Sequence, residues 1–148
     1  MDVSPAPLYL LDTPILVHYI RHDALMRAME ATYGLLATPM ALISVVTEGE
    51  IRALSIRLGW GEPRRRVLQD LLDFLTIVPI PFADVVTAYA EIDAFSVRNG
   101  VAIGKNDLWI AATARVTGAT LLTTDADFDI LDPNFIQHVR IDPSLGRS

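Results

Sequence analysis

Apolar residues in this chain fall into short unbroken runs separated by longer stretches of helical period. Leu8-Tyr9-Leu10-Leu11, residues 40–46, Ile77-Val78-Pro79-Ile80 and Thr120-Leu121-Leu122-Thr123 are such runs, and short apolar runs bounded by turn signals suit strands buried on both faces. Between them the period changes. Asp12-Thr13-Pro14 reads as a capped helix start followed by Ile15, Leu16, Tyr19 and Ile20. A second helix is expected from Asp23 to about Thr32, with Leu25, Met26 and Met29 inward, before the break at residues 34–39. Thr47 with Glu50 three positions on fits a capping box, opening a helix that carries Ile51, Leu54, Ile56 and Leu58 to Gly59-Trp60-Gly61. Pro63 opens another helix through Val67, Leu68, Leu71, Leu72 and Leu75. Pro81 starts the clearest one, with Phe82, Val85, Val86, Tyr89, Ile92 and Phe95 on one face and Asn99-Gly100 at its end. Asn106 is expected to cap a helix stopped by Gly118. A short turn near residues 128–131 and an edge strand over 136–141 complete the chain.

Strands alternating with helices imply a parallel sheet with helices on both faces. In open sheets of this kind ligands bind outside the carboxyl ends of the strands, and acids stand at those ends. Asp12 closes the first strand, Glu50 lies in the helix after the second, Asp107 opens a helix after Asn106, and Asp125 closes the fourth strand. Each alone also reads as a helix-start acid favoured by the macrodipole. Together, four carboxylates from four segments would repel, and burial would worsen the repulsion. A divalent cation resolves that conflict. Oxygen ligands suit Mg²⁺ or Mn²⁺, and two such ions about 3.5–4 Å apart are suited to phosphodiester hydrolysis.

Composition narrows the field. The chain has 148 residues, 51% of them hydrophobic, and no cysteine. It is therefore read as one domain over 1–148 with a frayed tail at 143–148. Disulfides, cysteine–zinc sites and thiol catalysis are excluded. Residues 1–7 have neither the basic nor the apolar segment of a signal peptide, and the uncharged stretch 31–47 is broken by Gly34 and Pro39. The expected location is cytoplasmic, with no membrane partner. A net charge of −6 argues against nucleic-acid binding through bulk charge.

The motifs Leu10-Leu11-Asp12-Thr13, residues 43–51 (ISVVTEGEI), residues 106–114 (NDLWIAATA) and residues 121–128 (LLTTDADF) resemble the PIN-domain family. They are closest to the VapC-type toxin ribonucleases of toxin–antitoxin pairs, and the resemblance runs from Leu10 to about Ile130. It implies a three-layer α/β/α sandwich and an endoribonuclease dependent on Mg²⁺ or Mn²⁺. It also implies metal-binding and catalytic roles for Asp12, Glu50 and Asp107, with Asp125 as fourth acid. Glu48 competes with Glu50 at the second position, and Asp127 with Asp125 at the fourth. Thr13, Ser44, Asn106 and Thr123 carry groups placed to hold a carboxylate or a metal water. Each also reads as an ordinary cap or strand residue. Such toxins dimerise and are held inactive by an antitoxin protein.

An acidic ribonuclease must still hold RNA. Arg52, Arg57, Arg64, Arg65 and Arg66 cluster in sequence, and Lys105 precedes Asn106-Asp107. These residues could grip phosphates, pair with acids such as Glu62 and Asp70, or meet an acidic partner. Trp60 could stack on a base or pack a helix end, and Trp109 reads as core. His18 and His22, four apart, share a face if their helix is unbroken and read as partly exposed. Two other classes compete: a PIN-like module that binds RNA or protein without cutting, and a phosphatase with an aspartyl nucleophile at Asp12. The second lacks the acid two positions on that such enzymes usually carry.

Overall fold

Two adjacent leucines at the centre of the sheet set the architecture. In a strand successive side chains face opposite ways, so Leu10 and Leu11 of β1 (Tyr9–Leu11) enter different cores. The same split recurs at Leu42 and Ile43 of β2 (Ala41–Ser44) and at Leu121 and Leu122 of β4 (Thr120–Thr123). One core packs Ile15, Leu16, Met29, Ile51 and Leu72 against the sheet; the other packs Ile92, Leu108, Ile110 and Phe128. A sheet buried on both faces by helices is an α/β/α sandwich. With β3 (Thr76–Val78) and β5 (Gln137–Arg140), the order is β3-β2-β1-β4-β5, and every neighbouring pair is parallel. The computed structural model describes residues 7–37, 41–80 and 83–146.

The helices are α1 (Thr13–Arg21), α2 (Ala24–Tyr33), α3 (Val45–Arg57), α4 (Glu62–Phe74), α5 (Ala83–Arg98) and α6 (Lys105–Thr117). Short 3-10 segments cover Leu35–Ala37 and Ala126–Leu131. Asp12 caps α1 and Asp23 caps α2 as expected, each through its own carboxylate. Gly118 ends α6 at φ 71°, in the left-handed region that glycine enters without cost. Pro39, Met40, Pro81 and Phe82 lie outside the described residues.

Two helix starts and one helix end differ from the sequence reading. Thr47 does not open α3. Ser44 does, its hydroxyl accepting from the Val46 N–H at 3.0 Å, so Val45 and Val46 are helical although they extend an apolar run. The stripe proposed for α3 is also corrected: Ile51 is buried, but Ile56 and Leu58 are 80% and 60% exposed. At α6, Gly104 occupies the cap position in place of Asn106, and this frees the asparagine side chain. His22 caps the end of α1 at φ 53°, so the helix breaks there and His18 and His22 share no continuous face. Trp109 is half-buried, stacked on Tyr89 at 4.1 Å between ring centroids. Residues 143–146 form a turn against α2; a Cβ on Gly146 would meet the Ala24 carbonyl at 2.6 Å.

Candidate active site

β1 lies between β2 and β4, so the chain crosses from one side of the sheet to the other around it, and a crevice opens at the carboxyl ends of these strands. Asp12 emerges there directly after β1. It is 3% exposed. One carboxylate oxygen accepts from the Thr13 N–H at 2.8 Å and the other from the Thr123 hydroxyl at 2.8 Å. Desolvation pushes this carboxyl up to about 6, aided by the charges of Glu50 and Asp125 and opposed by the bonds from Thr123 and Thr13. Thr123 works in both directions, since its oxygen also accepts from the Asp125 N–H at 3.0 Å. A single β4 hydroxyl therefore fixes the ends of two acid-bearing segments.

Glu50, on α3, reaches the same crevice. The Thr13 hydroxyl donates to its Oε1 at 2.9 Å, and the Asn106 amide donates to its Oε2 at 3.3 Å. Glu48 turns away and pairs with Arg52 at 3.0 Å. Asp107 stands in the first turn of α6 and is half-buried. Desolvation, then the charges of Asp12, Asp125, Glu50 and Asp127, push its carboxyl to about 7. Asp107, Asp125 and Asp127 each offer one oxygen, and these oxygens lie within 4.8 Å of one another. Asp127 also donates its N–H to Asp125 at 2.9 Å. Ser44 is spent on capping α3. The fully buried Thr47 hydroxyl has no hydrogen-bond partner among the described residues.

Asp12, Thr13, Glu50, Asp107 and Asp125 line one end of a groove of about 490 Å³. The groove continues between α1 and α3 over Pro14, Val17 and Leu54 to His18, Arg21 and Arg57. The donor set at its acidic end consists of oxygens alone, the kind that hard divalent cations select. The desolvation and repulsion that raise Asp12 and Asp107 are what such a cation would offset.

The sequence matches the PIN domain over residues 9–132. The chain belongs to the PIN-domain family. PIN domains are generally nucleases and generally bind divalent metals. A search of curated proteins finds no match. Among solved structures, this PIN domain is similar to a chain of VapBC2 from Rickettsia felis bound to a DNA fragment from its promoter. Identity is 28% and the TM-score 0.75, over 89% of this chain and 98% of that one. FitAcB from Neisseria gonorrhoeae gives 25% and 0.70, over 88% and 96%. VapBC-5 of Mycobacterium tuberculosis, at 24% identity and TM-score 0.67 over 93% and 100%, shares the fold.

The basic residues of this PIN domain are dispersed. Of the sequence cluster, Arg57 lines the groove. Arg52 is held by Glu48 and Gln69, and Arg64 lies over the Trp60 ring at 5.6 Å. Trp60 itself packs against the core at the end of α3. Arg65 and Arg66 border a separate shallow depression with Glu62 and Asp70, and Lys105 is exposed at the start of α6. Sequence reasoning missed His18 and Arg21 as groove residues. The signal was present: Pro14, Val17, His18 and Arg21 follow the i, i+3, i+4, i+7 spacing of one helix face, and that face begins at Asp12. No described helix is long and apolar enough to cross a membrane.

Proposed function

We propose that this PIN domain is an endoribonuclease dependent on Mg²⁺ or Mn²⁺, the toxin of a type II toxin–antitoxin pair. The observation that carries this reading is the convergence of Asp107, Asp125 and Asp127, whose oxygens lie within 4.8 Å of one another, beside Asp12 and Glu50, where like charges repel. A fold gains nothing from that repulsion unless a cation offsets it. Asp107, Asp125 and Asp127 would hold the cation, with Asp12 and Glu50 completing the acidic wall. A divalent cation there would supply Lewis-acid stabilisation of charge on a phosphodiester and a nucleophile from water.

The chain's own residues do the positioning. Thr123 and the Thr13 N–H hold Asp12 in one orientation, and Thr13 and Asn106 clamp both oxygens of Glu50. Such locked carboxylates need no reorganisation when the substrate arrives. The partner follows from likeness to the VapBC and FitAcB structures. An antitoxin and a second copy of this chain are proposed to cover apolar surface, of which Ile56, Val97 and Leu58 are the most exposed large side chains among the described residues. The test is cleavage of single-stranded RNA by purified protein with Mg²⁺, Mn²⁺ or EDTA. Cleavage that persists in EDTA and in both Asp12→Asn and Asp107→Asn would sink the reading.

A further inference from the structure

The groove has a second end, and its chemistry differs from the first. Arg21 and Arg57 bring two cations there, and the floor between them and the acids is apolar. From Thr13 to Arg21, α1 has nine residues and rises about 12 Å over its eight steps of about 1.5 Å. That length spans a few nucleotides of a stacked strand at about 3.4 Å each. A phosphodiester chain fits this polarity. Without a cation at the carboxylate end a phosphodiester is repelled there as an acidic peptide is, so its fit rests on the cation of the nuclease reading.

His18 lies on this wall with a defined ring. Its Nδ1 is 2.6 Å from the Asp23 carboxylate, which also accepts the Met26 N–H that caps α2. Although desolvation opposes it, the bonds from Met26 and His18 and the charge of Arg21 hold the Asp23 carboxyl below its usual range. An ionised carboxylate only accepts, so Nδ1 carries the hydrogen. Nε2 is the one polar atom of the ring not spent on Asp23, an acceptor when the ring is neutral and a donor when it is charged. The group on a nucleic acid that meets Nε2 in either role and is absent from DNA is the ribose 2′-hydroxyl, both donor and acceptor.

We propose that His18, oriented by Asp23, reads a ribose 2′-hydroxyl in the groove, while Arg21 and Arg57 hold the adjoining phosphates. This rests on the nuclease reading for the location of the substrate. His18 confers preference for RNA over DNA, and the arginines confer affinity for both. Asp23 is a positioning residue.

The experiment measures binding of a fluorescent single-stranded RNA and its all-deoxy counterpart by anisotropy, in EDTA. It uses the Asp107→Asn background, which keeps the strand intact and removes one repelling charge. Adding His18→Ala is expected to weaken RNA binding about three- to tenfold, the loss of one hydrogen bond, and to leave DNA binding unchanged. Asp23→Asn retains a capping side chain and is expected to lower RNA preference alone, with no further loss when His18 is already alanine. Arg21→Ala with Arg57→Ala is expected to weaken both ligands and lower the salt slope by about 1.4, at about 0.7 per phosphate contact for single strands. Arg65→Ala with Arg66→Ala, an equal charge change outside the groove, is expected to leave the slope in place. Equal affinity for RNA and DNA before any change at His18, or an unchanged preference after it, overturns the proposal. So does displacement of RNA by poly-glutamate at equal charge, which would assign the basic end to an acidic protein. Cleavage of RNA by the unmodified protein is scored separately. Cleavage without ribose preference removes the His18 role and leaves the nuclease reading standing, whereas ribose preference without cleavage does the reverse.

Discussion

Two groups of acids in this molecule are built in opposite ways. Asp129 and Asp132 flank His138 of β5, with ring nitrogens 2.7 and 2.8 Å from their carboxylates, and Arg140 reaches Asp129 at 3.1 Å. The bond from His138 holds Asp132 below the usual carboxylate range. Burial alone would lower the His138 imidazole, but its two aspartate partners raise it above 6.5. Asp12 and Asp107 move the other way, to about 6 and about 7. One group carries its countercharge within the chain. The other has five acids and, among the described residues, takes only neutral donors, namely hydroxyls, one amide and backbone N–H groups. Asp content alone is thus no sign of a cation site; the absence of a paired base beside the acids is.

The largest expected effect breaks the second group. Asp107→Asn and Asp12→Asn are each expected to lower RNA cleavage in Mg²⁺ or Mn²⁺ by at least about a hundredfold, read as initial rates on a labelled oligonucleotide. Glu50→Gln is expected to cut activity as well. Glu48→Gln, remote from the groove in its pair with Arg52, is expected to leave activity within about twofold. Equal losses in Glu48→Gln and Glu50→Gln would erase the distinction between them.

Next in size is the paired group. His138→Ala leaves two aspartates without their base and is expected to cost about 1–2 kcal/mol. That is a fall of several degrees in melting temperature, at about 2–4 °C per kcal/mol for a chain of this size. A thermal melt that does not move would mean that the histidine contributes nothing to holding β5.

A pH series separates the two groups by sign. Asp12 and Asp107 keep their protons in the folded chain where the unfolded chain, at its ordinary value of 3.8, has lost them. The cation-free fold therefore loses stability as pH rises from about 4 to about 7. Asp107→Asn is expected to flatten that decline and to be the more stable form at pH 7.5. The margin is on the order of 1 kcal/mol, because the group is half-exposed and solvent screens it. Saturating Mg²⁺ should restore the unmodified protein and do little for the variant. For His138, raised above 6.5, the contribution is full below 6.5 and fades as pH rises through its folded value. The deficit of His138→Ala should therefore shrink with rising pH while the advantage of Asp107→Asn grows. Parallel pH profiles for the two variants would refute the contrast. The smallest effect is expected at Arg52→Ala, an exposed pair within one helix, at under about 0.5 kcal/mol in the melt.

The acid cluster was largely legible in the sequence, the paired group around His138 was not, and the reasons are local. Leu10-Leu11-Asp12 and Leu122-Thr123-Thr124-Asp125 place an acid just past a buried strand, and strand alternation fixes which end it occupies. The start of α3 was not legible. Val45 and Val46 are β-branched and continue the apolar run of β2, so pattern alone extends the strand and shifts the cap from Ser44 to Thr47. Asn106 was read as a cap because asparagine favours that role. Only the tertiary approach of α3 to α6 gives its amide Glu50 as a partner instead. The arginines at 52–66 look like one patch in sequence, yet a helix–turn–helix distributes their side chains over different faces. In sequence His18 reads as a partly exposed residue and Arg21 is assigned no role, because the apolar stripe of their helix points to the core, while the groove runs along the neighbouring face.

The bond from Thr123 to Asp12 joins residues 111 positions apart, and it closes the centre of the sheet, where β1 waits between β2 and β4. A chain emerging from the ribosome therefore has its first acid early and its last two only after β4 has been made. Contacts this distant form late and together. Until then a growing polypeptide holds scattered carboxylates rather than an assembled cluster, so the cutting activity proposed for the finished protein would be switched off in every nascent fragment that stops short of Asp125.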